Sequence, residues 1–284
     1  METPLGIIAG NGRYPQILAE RLVEAGKRLV VASFEGETVS SLLPHSLASH
    51  PVLGTKLDGA EVFRVGEVDR LFSFLATCGA KEFFLAGGIR RKGLWLRARP
   101  DRTALRILLR SGIRRDEPLL RGFADQGRRW GLEAGDPRGY LHGLLLKPGV
   151  VAGPDMASEI EPLIERAMKE AQRQATRGLG QAAVAWPGGA RSETASGTDA
   201  LIAMFAAGRH GQDAVLVKVP RPGQDLRFDM PTLGPDTIAR AGRSGIRAVA
   251  GLAGATLLLD GEEAAELADK YGVTIWGMRP KPEA

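Results

Sequence analysis

Residues 5–34, LGIIAGNGRYPQILAERLVEAGKRLVVASF, decide the fold. The apolar run Leu5–Ala9 is short enough for a buried strand. The segment Gly10–Tyr14 is a glycine turn, and Pro15 then opens an amphipathic helix that Gly26 closes, because proline suits a first helical turn and glycine the residue just past the last. Lys27–Phe34 is a second buried strand. Strand, turn, helix and strand within thirty residues predict a βαβ unit, and hence a mainly parallel sheet with helices on both sides.

The same alternation continues outward. VDRLFSFLATCGAK (68–81) carries helical periodicity, EFFLAGGI (82–89) is an apolar run that breaks at Gly87 and Gly88, and helices are expected over 103–113 and 117–134. GDPRGYLHGLLLKPGVVAGPD (135–155), rich in Gly and Pro, reads as a connection about which the two halves pivot. Beyond it a long polar-faced helix from Met156 to Gly180 is followed by short strands and helices, among them QAAVAW (181–186), SGTDALIAMFAAG (196–208), AVLVKV (214–219) and VTIWGM (273–278). With 284 residues, two domains are expected: 1–135, a Rossmann-like parallel α/β unit, and 136–284, a smaller catalytic α/β unit.

Composition narrows the chemistry. Apolar residues are 44% and charged residues 25%, the balance of a globular protein, and no apolar run reaches the ~20 residues of a membrane span. The start of the chain lacks the layout of a signal peptide, so a cytoplasmic location is expected. The lone cysteine, Cys78, rules out an intrachain disulfide and reads as a small hydrophobe on a helix. Thirty-eight basic against 33 acidic residues give a net charge of +5, which suits an anionic ligand. Aromatic content of 6% and the lack of any nucleic-acid-binding motif argue that this ligand is not nucleic acid. His45, His50, His142 and His210 lack metal-ligand spacing, and no Walker loop, HExxH helix or GxSxG elbow is present.

Three stretches have the residue types for phosphate chemistry. Gly10 and Gly12 stand where a dinucleotide fold places its first two glycines, but Pro15 occupies the region of the third, and the acid nearest the second strand, Glu35, sits in a turn. A tight turn without a ligand and a turn that touches phosphate or nucleoside both fit. Thr198 and Asp199 precede a helix after Gly197, which serves equally for capping or for a loop-to-helix anion site. The third stretch, VKVPRPGQDLRFDMPTLGPDT (217–237), has no helical or strand period and concentrates Asp225, Asp229 and Asp236 with Lys218, Arg221 and Arg227. Phosphoanhydride hydrolysis needs neutralised non-bridging oxygens and a positioned water, tasks for which Asp225, Gln224, Lys218 and Arg227 are the right types. A solvated turn with internal ion pairs is the alternative.

With GIIAGNGRYP, LAGGIRR, SGTDALI and LVKVPRPGQDLRFDMPTLGPDTI in view, the chain strongly resembles the LpxI family, UDP-2,3-diacylglucosamine pyrophosphatases of lipid A biosynthesis. The last stretch is similar to the family's K-x-x-x-x-x-Q-D-x-R-x-D-x-P-x-x-G-x-x-T signature, carried by Lys218, Gln224, Asp225, Arg227, Asp229, Pro231, Gly234 and Thr237. The resemblance implies two α/β domains with a ligand cleft between them. It also implies Mg²⁺- or other divalent-cation-dependent cleavage of UDP-2,3-diacylglucosamine to UMP and 2,3-diacylglucosamine 1-phosphate (lipid X). Asp225 is then the catalytic residue and metal ligand, with Gly10, Asn11, Gly12, Gly87, Gly88, Gly197, Thr198, Asp199, Lys218, Gln224 and Arg227 binding substrate. The chain departs from the family pattern at Ser196, Leu252 and the stretch around Asp116, while Glu193 matches an earlier family acid. The amphiphilic product implies contact with the inner membrane surface through Leu94, Trp95, Leu96, Arg97 and Arg99, and a homodimer is compatible with the sequence. The alternative from another class is a nucleotide- or lipid-binding protein without turnover.

Overall fold

The computed structural model describes residues 2–90, 98–111, 116–177, 180–194, 196–207 and 213–280. It divides into two compact units, Met1–His142 with Arg227–Asp229, and Gly143–Leu226 with Met230–Ala284.

The first unit runs β1 (Leu5–Ala9), α1 (Tyr14–Glu24), β2 (Leu29–Phe34), α2 (Pro44–Ser49), β3 (Leu57–Phe63), α3 (Val68–Thr77), β4 (Glu82–Ala86), α4 (Arg102–Ser111), α5 (Asp116–Arg129) and β5 (Glu133–Ala134). Its five strands lie in the order β3-β2-β1-β4-β5, and every pair is parallel. This is the order of a doubly wound sheet, in which the strand sequence reverses between β1 and β4. Both β1 and β2 are buried throughout, as an unbroken apolar run at the centre of a parallel sheet requires. The expected helix-closing glycine, Gly26, has φ of +82°. Phe63, Phe72 and Phe83 fill one face of the sheet, and the Phe72 and Phe83 rings meet edge to face at 5.3 Å. Phe228, far along the chain, packs against this same core.

The expected boundary at 135/136 and the observed division differ over residues 136–142, which fold with the first unit. The cause is local: the turn of 3₁₀ helix Pro137–Tyr140 packs on α1, and the Tyr140 ring lies edge-on to Phe84 at 5.9 Å.

The second unit runs β6 (Gly149–Ala152), α6 (Ala157–Ala175), β7 (Ala182–Trp186), β8 (Gly189–Ser192), α7 (Gly197–Ala207), β9 (Ala214–Lys218), β10 (Thr232–Leu233), α8 (Pro235–Arg243), β11 (Ile246–Leu252), β12 (Leu257–Leu258), α9 (Gly261–Tyr271) and β13 (Thr274–Met278). Its main sheet has six strands in the order β6-β13-β11-β9-β7-β8. The central β9, β11 and β13 are parallel, and β6, β7 and β8 are antiparallel to their neighbours. Alternation along β9 sends Val215 and Val217 to the face covered by α6, and Ala214 and Leu216 to the opposite face under α7, α8 and α9. Ala167 and Ala171 of α6 meet Ala183, Ala185, Ala248 and Ala250 of the sheet, small side chains that let helix and sheet approach closely.

The stretch 217–237 is not wholly irregular. Thr232–Leu233 form β10, which pairs in parallel with β12, and Pro235 starts α8, placing Asp236 in that helix's first turn, where the macrodipole favours an acid.

Candidate functional site

In the first unit the glycine turn after β1 and the one after β4 lie against each other at the carboxyl ends of adjacent strands. The Gly10 amide donates to the Ala86 carbonyl at 2.7 Å, and the Asn11 amide donates to the Gly88 carbonyl at 2.8 Å. A side chain at Gly10 would press its Cβ into the Gly88 carbonyl oxygen, and one at Gly87 would strike the Asn11 carbonyl oxygen. Gly87 also has φ of +79°, a conformation that disfavours any other residue. These two glycines are therefore fixed by the crossing of two backbone segments. Gly12, with φ of +84° and open space where a Cβ would be, instead turns the chain into α1.

Beside this crossing lies a group that sequence reasoning passed over. The Glu37 side chain is only 1% exposed, and its Oε2 accepts from the Asn11 amide Nδ2 at 3.2 Å, from the Arg90 backbone N–H at 3.0 Å and from Arg90 Nε at 3.2 Å. Burial pushes the carboxyl up, but the Arg90 backbone N–H, the Asn11 amide and the Arg90 guanidinium outweigh it and hold Glu37 below the usual carboxylate range. Glu35, by contrast, points outward to Arg64 at 3.0 Å. Tyr14, the first residue of α1, has a buried hydroxyl with no hydrogen-bond partner among the described residues. Burial, with Asp136 adding to it, pushes its phenol well up.

In the second unit a different set meets at the carboxyl end of β9. Lys218 is the last residue of β9 and stands opposite Ala182 on one side and Gly251 on the other. Its Nζ donates to the Thr232 carbonyl at 3.1 Å, tying the two ends of the loop 219–231 together. Glu193 follows β8, its amide donating to the Ala182 carbonyl at 2.8 Å, and its Oε2 accepts from the Thr198 hydroxyl at 3.2 Å. Lys218, Glu193, Gly197 and Thr198 thus stand at one edge of the sheet, beyond the carboxyl ends of its central parallel strands, where ligands of open α/β sheets bind. Leu252 directly follows Gly251, the residue paired with Lys218, on β11. Asp199 is exposed and its carboxylate lies 3.9 Å from Arg240 of α8. Ser196 is exposed.

Within the loop, Arg221-Pro222-Gly223-Gln224 forms a closed turn. The Gln224 amide donates to the Arg221 carbonyl at 2.9 Å, Gly223 has φ of +73°, and the Gln224 side-chain oxygen accepts from the Arg221 amide at 2.7 Å. Pro followed by Gly at the two central positions is the signature of a type II turn. Gln224 therefore helps build its own loop, and Asp225, half-buried, directly follows the turn. Residues Arg227–Asp229 fold with the first unit. There Arg227 donates to the Ala134 carbonyl at 3.3 Å, and its guanidinium lies 5.1 Å from the centre of the Phe228 ring. Arg138, by hydrogen bond, and more weakly Arg227 hold Asp136 below the usual aspartate range against its partial burial.

No group of three or more His, Cys, Asp or Glu is placed to hold a metal ion among the described residues. A cavity of about 510 Å³ lies along α6, lined by residues such as Pro162, Arg166, Lys169 and Arg173, and none of the groups above borders it. Of the expected membrane-contact residues, 94–97 lie outside the described residues, and Arg99 is exposed with its amide donating to the Val65 carbonyl at 2.9 Å.

A glycine turn at the strand switch of one α/β unit and a basic and acidic cluster at the carboxyl edge of the other's sheet stand where open α/β folds commonly bind phosphate-bearing ligands. The model of the LpxI N-terminal domain matches residues 4–144, and that of the LpxI C-terminal domain matches residues 147–276. The UDP-2,3-diacylglucosamine pyrophosphatase LpxI of Caulobacter vibrioides is 30% identical over 98% of each chain. The chain belongs to the LpxI family. Among solved structures, the biotin carboxylase subunit of pyruvate carboxylase is similar with a TM-score of 0.27 and 13% identity, over 64% of this chain and 35% of that one. The biotin carboxylase domain of a thermophilic 2-oxoglutarate carboxylase gives 0.23 and 15%, over 72% and 40%. The chain thus spans well under half of either structure, and likeness at this level carries no argument about function.

Proposed function

We propose that this protein hydrolyses the pyrophosphate bond of UDP-2,3-diacylglucosamine, releasing UMP and 2,3-diacylglucosamine 1-phosphate. The supporting observation is the match to the Caulobacter enzyme along 98% of the chain, within which the signature loop is stapled at its base by Lys218 and Thr232 and leads through the Pro222–Gly223 turn to Asp225. Asp225 aligns the attacking water. Within the second unit Lys218 neutralises charge on the phosphate oxygens, and Gln224, Gly197, Thr198 and Asp199 contribute polar contacts.

Mg²⁺ fits this arrangement only as a shared ion. It is commonly held by one or two carboxylates with substrate phosphates and water, so Asp225 would be its protein ligand and the diphosphate would supply further oxygens. When bound, it would neutralise charge on those oxygens. Mass-spectrometric detection of UMP released from the substrate with Mg²⁺ tests the reading. Substrate binding without any UMP would favour the alternative of a binding protein that does not turn over.

The diacylated substrate places the protein, in this reading, in the cytoplasm with peripheral contact at the inner membrane surface. Helix α4 supplies a suitable face: Leu105 and Leu109 are 46% and 86% exposed, and Arg102, Arg106 and Arg110 share that exposed arc. Apolar side chains bordered by arginines match an anionic lipid surface. Vesicle co-sedimentation unchanged by Leu109→Glu with Arg106→Glu would remove α4 from this role.

A further inference from the structure

Arg90 lies two residues beyond Gly88, past the carboxyl end of β4 and beside the point where the strand order reverses between β1 and β4. Its side chain is 60% exposed, yet it is oriented by the protein. Nε donates to the buried Glu37 carboxylate at 3.2 Å, and Nη2 donates to the Gly36 carbonyl. The backbone N–H of Arg90 and the Asn11 amide converge on the same Glu37 oxygen. A guanidinium is planar and presents two edges, Nε with Nη2 and Nη1 with Nη2, each matched to two oxygens of a carboxylate or phosphate. Here the first edge is consumed inside the protein. Among the described residues, Nη1 meets no acceptor.

Burying a carboxylate carries a desolvation penalty, which the contacts of Glu37 with Arg90 and Asn11 offset here. What a buried carboxylate does provide is a fixed direction for an exposed arginine, which would otherwise sample many rotamers.

We infer that Arg90 is a phosphate-binding residue of the first unit, offering its Nη1–Nη2 edge to a phosphoryl group at the strand switch point, with Glu37 as the positioning residue that holds it there. The assignment of that phosphoryl group to the substrate rests on the hydrolase reading above. The group belongs either to the nucleotide or to the sugar phosphate, and the experiment separates the two.

Kinetics of the full-length protein and calorimetric titration with UMP and, separately, with lipid X are to be compared for wild type, Arg90→Gln, Arg90→Lys and Glu37→Gln. Loss of a bidentate charged contact should raise KM, and weaken one of the two ligands, by about 10-fold or more in Arg90→Gln, with kcat changed far less. Lysine should recover only part of this, because an ammonium lacks the planar fork. Glu37→Gln should raise KM by about 5-fold through the freed guanidinium. In a further variant, Arg90→Ala, whose affinity should fall as in Arg90→Gln, added guanidinium ion should partly restore it. A folded Arg90→Gln protein with wild-type KM and wild-type affinity for both ligands overturns the inference, as does a variant that loses thermal stability alone. Arg90 is exposed, so its variants keep the test decisive even if Glu37→Gln fails to fold. Failure of the wild type to release UMP would instead overturn the hydrolase reading, leaving the two binding titrations to judge Arg90.

Discussion

The two units place polar groups at the carboxyl ends of their strands by different means. In the first, two backbone segments cross so closely that Gly10 and Gly87 admit no side chain, and a buried carboxylate beneath them orients an arginine. In the second, side chains do the organising: Lys218 closes a long loop, Gln224 closes a turn within it, and Glu193 holds Thr198. A site made of backbone tolerates little change of shape but needs few particular functional groups. A site made of side chains tolerates shape change better and depends on individual charges. Substitutions at the crossing glycines of the first unit should therefore act through stability, and those among the organising side chains of the second through rate.

The largest expected effect tests the second half of that contrast. Asp225→Ala should lower kcat by ~10³-fold, about 4 kcal/mol, with the fold and much of the substrate affinity retained, as expected for a group acting on the transition state. Steady-state UMP release with a thermal melt checks both halves, and near-normal release by a folded variant would end the assignment. Asp229→Ala, in the segment that folds with the first unit, should lose less rate and more stability.

Next in size, Gly87→Ala should destabilise by about 2–4 kcal/mol, combining a strained φ with a backbone clash. Denaturant titration reads it directly, and a loss below about 0.5 kcal/mol would mean that the crossing can open freely. Phe228→Ala should remove about 2 kcal/mol from the first unit, since a partly buried ring loses only part of its packing.

A smaller, pH-dependent effect sharpens the comparison. Glu37 in the folded protein is held below its ordinary value of 4.5, so the unfolded chain binds its proton first as pH falls in that region. Its contribution is fully present above about pH 4.5 and is lost as pH drops through the lowered folded value. The stability gap between wild type and Glu37→Gln, measured between pH 6 and 3, should shrink toward the acid end. A gap that widens there would contradict the Arg90 and Asn11 contacts as its source. The smallest effect on stability belongs to Asp199→Asn, within about 0.5 kcal/mol, because among the described residues its exposed carboxylate reaches a distant Arg240; any functional loss should fall on KM and leave kcat little changed.

How much of this could be read from sequence depended on whether the determinants were local. The βαβ start was legible because an unbroken apolar strand, a glycine turn and a proline-led helix follow one another directly. Strand β3 was not, since LDGAEVF at a sheet edge carries Asp58, Gly59 and Glu61 and shows neither an apolar run nor clean alternation. In the loop 217–237 the residue types for phosphate chemistry stood out, but a two-residue strand leaves no period, so β10 was invisible. Glu37 was passed over for the neighbouring Glu35, because two acids in one turn look alike until the fold buries one and leaves the other facing solvent. Arg90 lay in the run IRR, and only its contacts with Gly36 and with Glu37, itself held by Asn11, distinguish it.

The return of Arg227–Asp229 to the first unit bears on how the chain is made. A ribosome that has delivered residue 142 has supplied nearly all of that unit except the ring of Phe228, which packs against its core. At ordinary elongation rates the missing segment emerges on the order of ten seconds later. For that interval the apolar surface that Phe228 covers in the folded unit awaits residues still to be translated. Cutting the gene between its two halves would make that interval permanent for an N-terminal fragment.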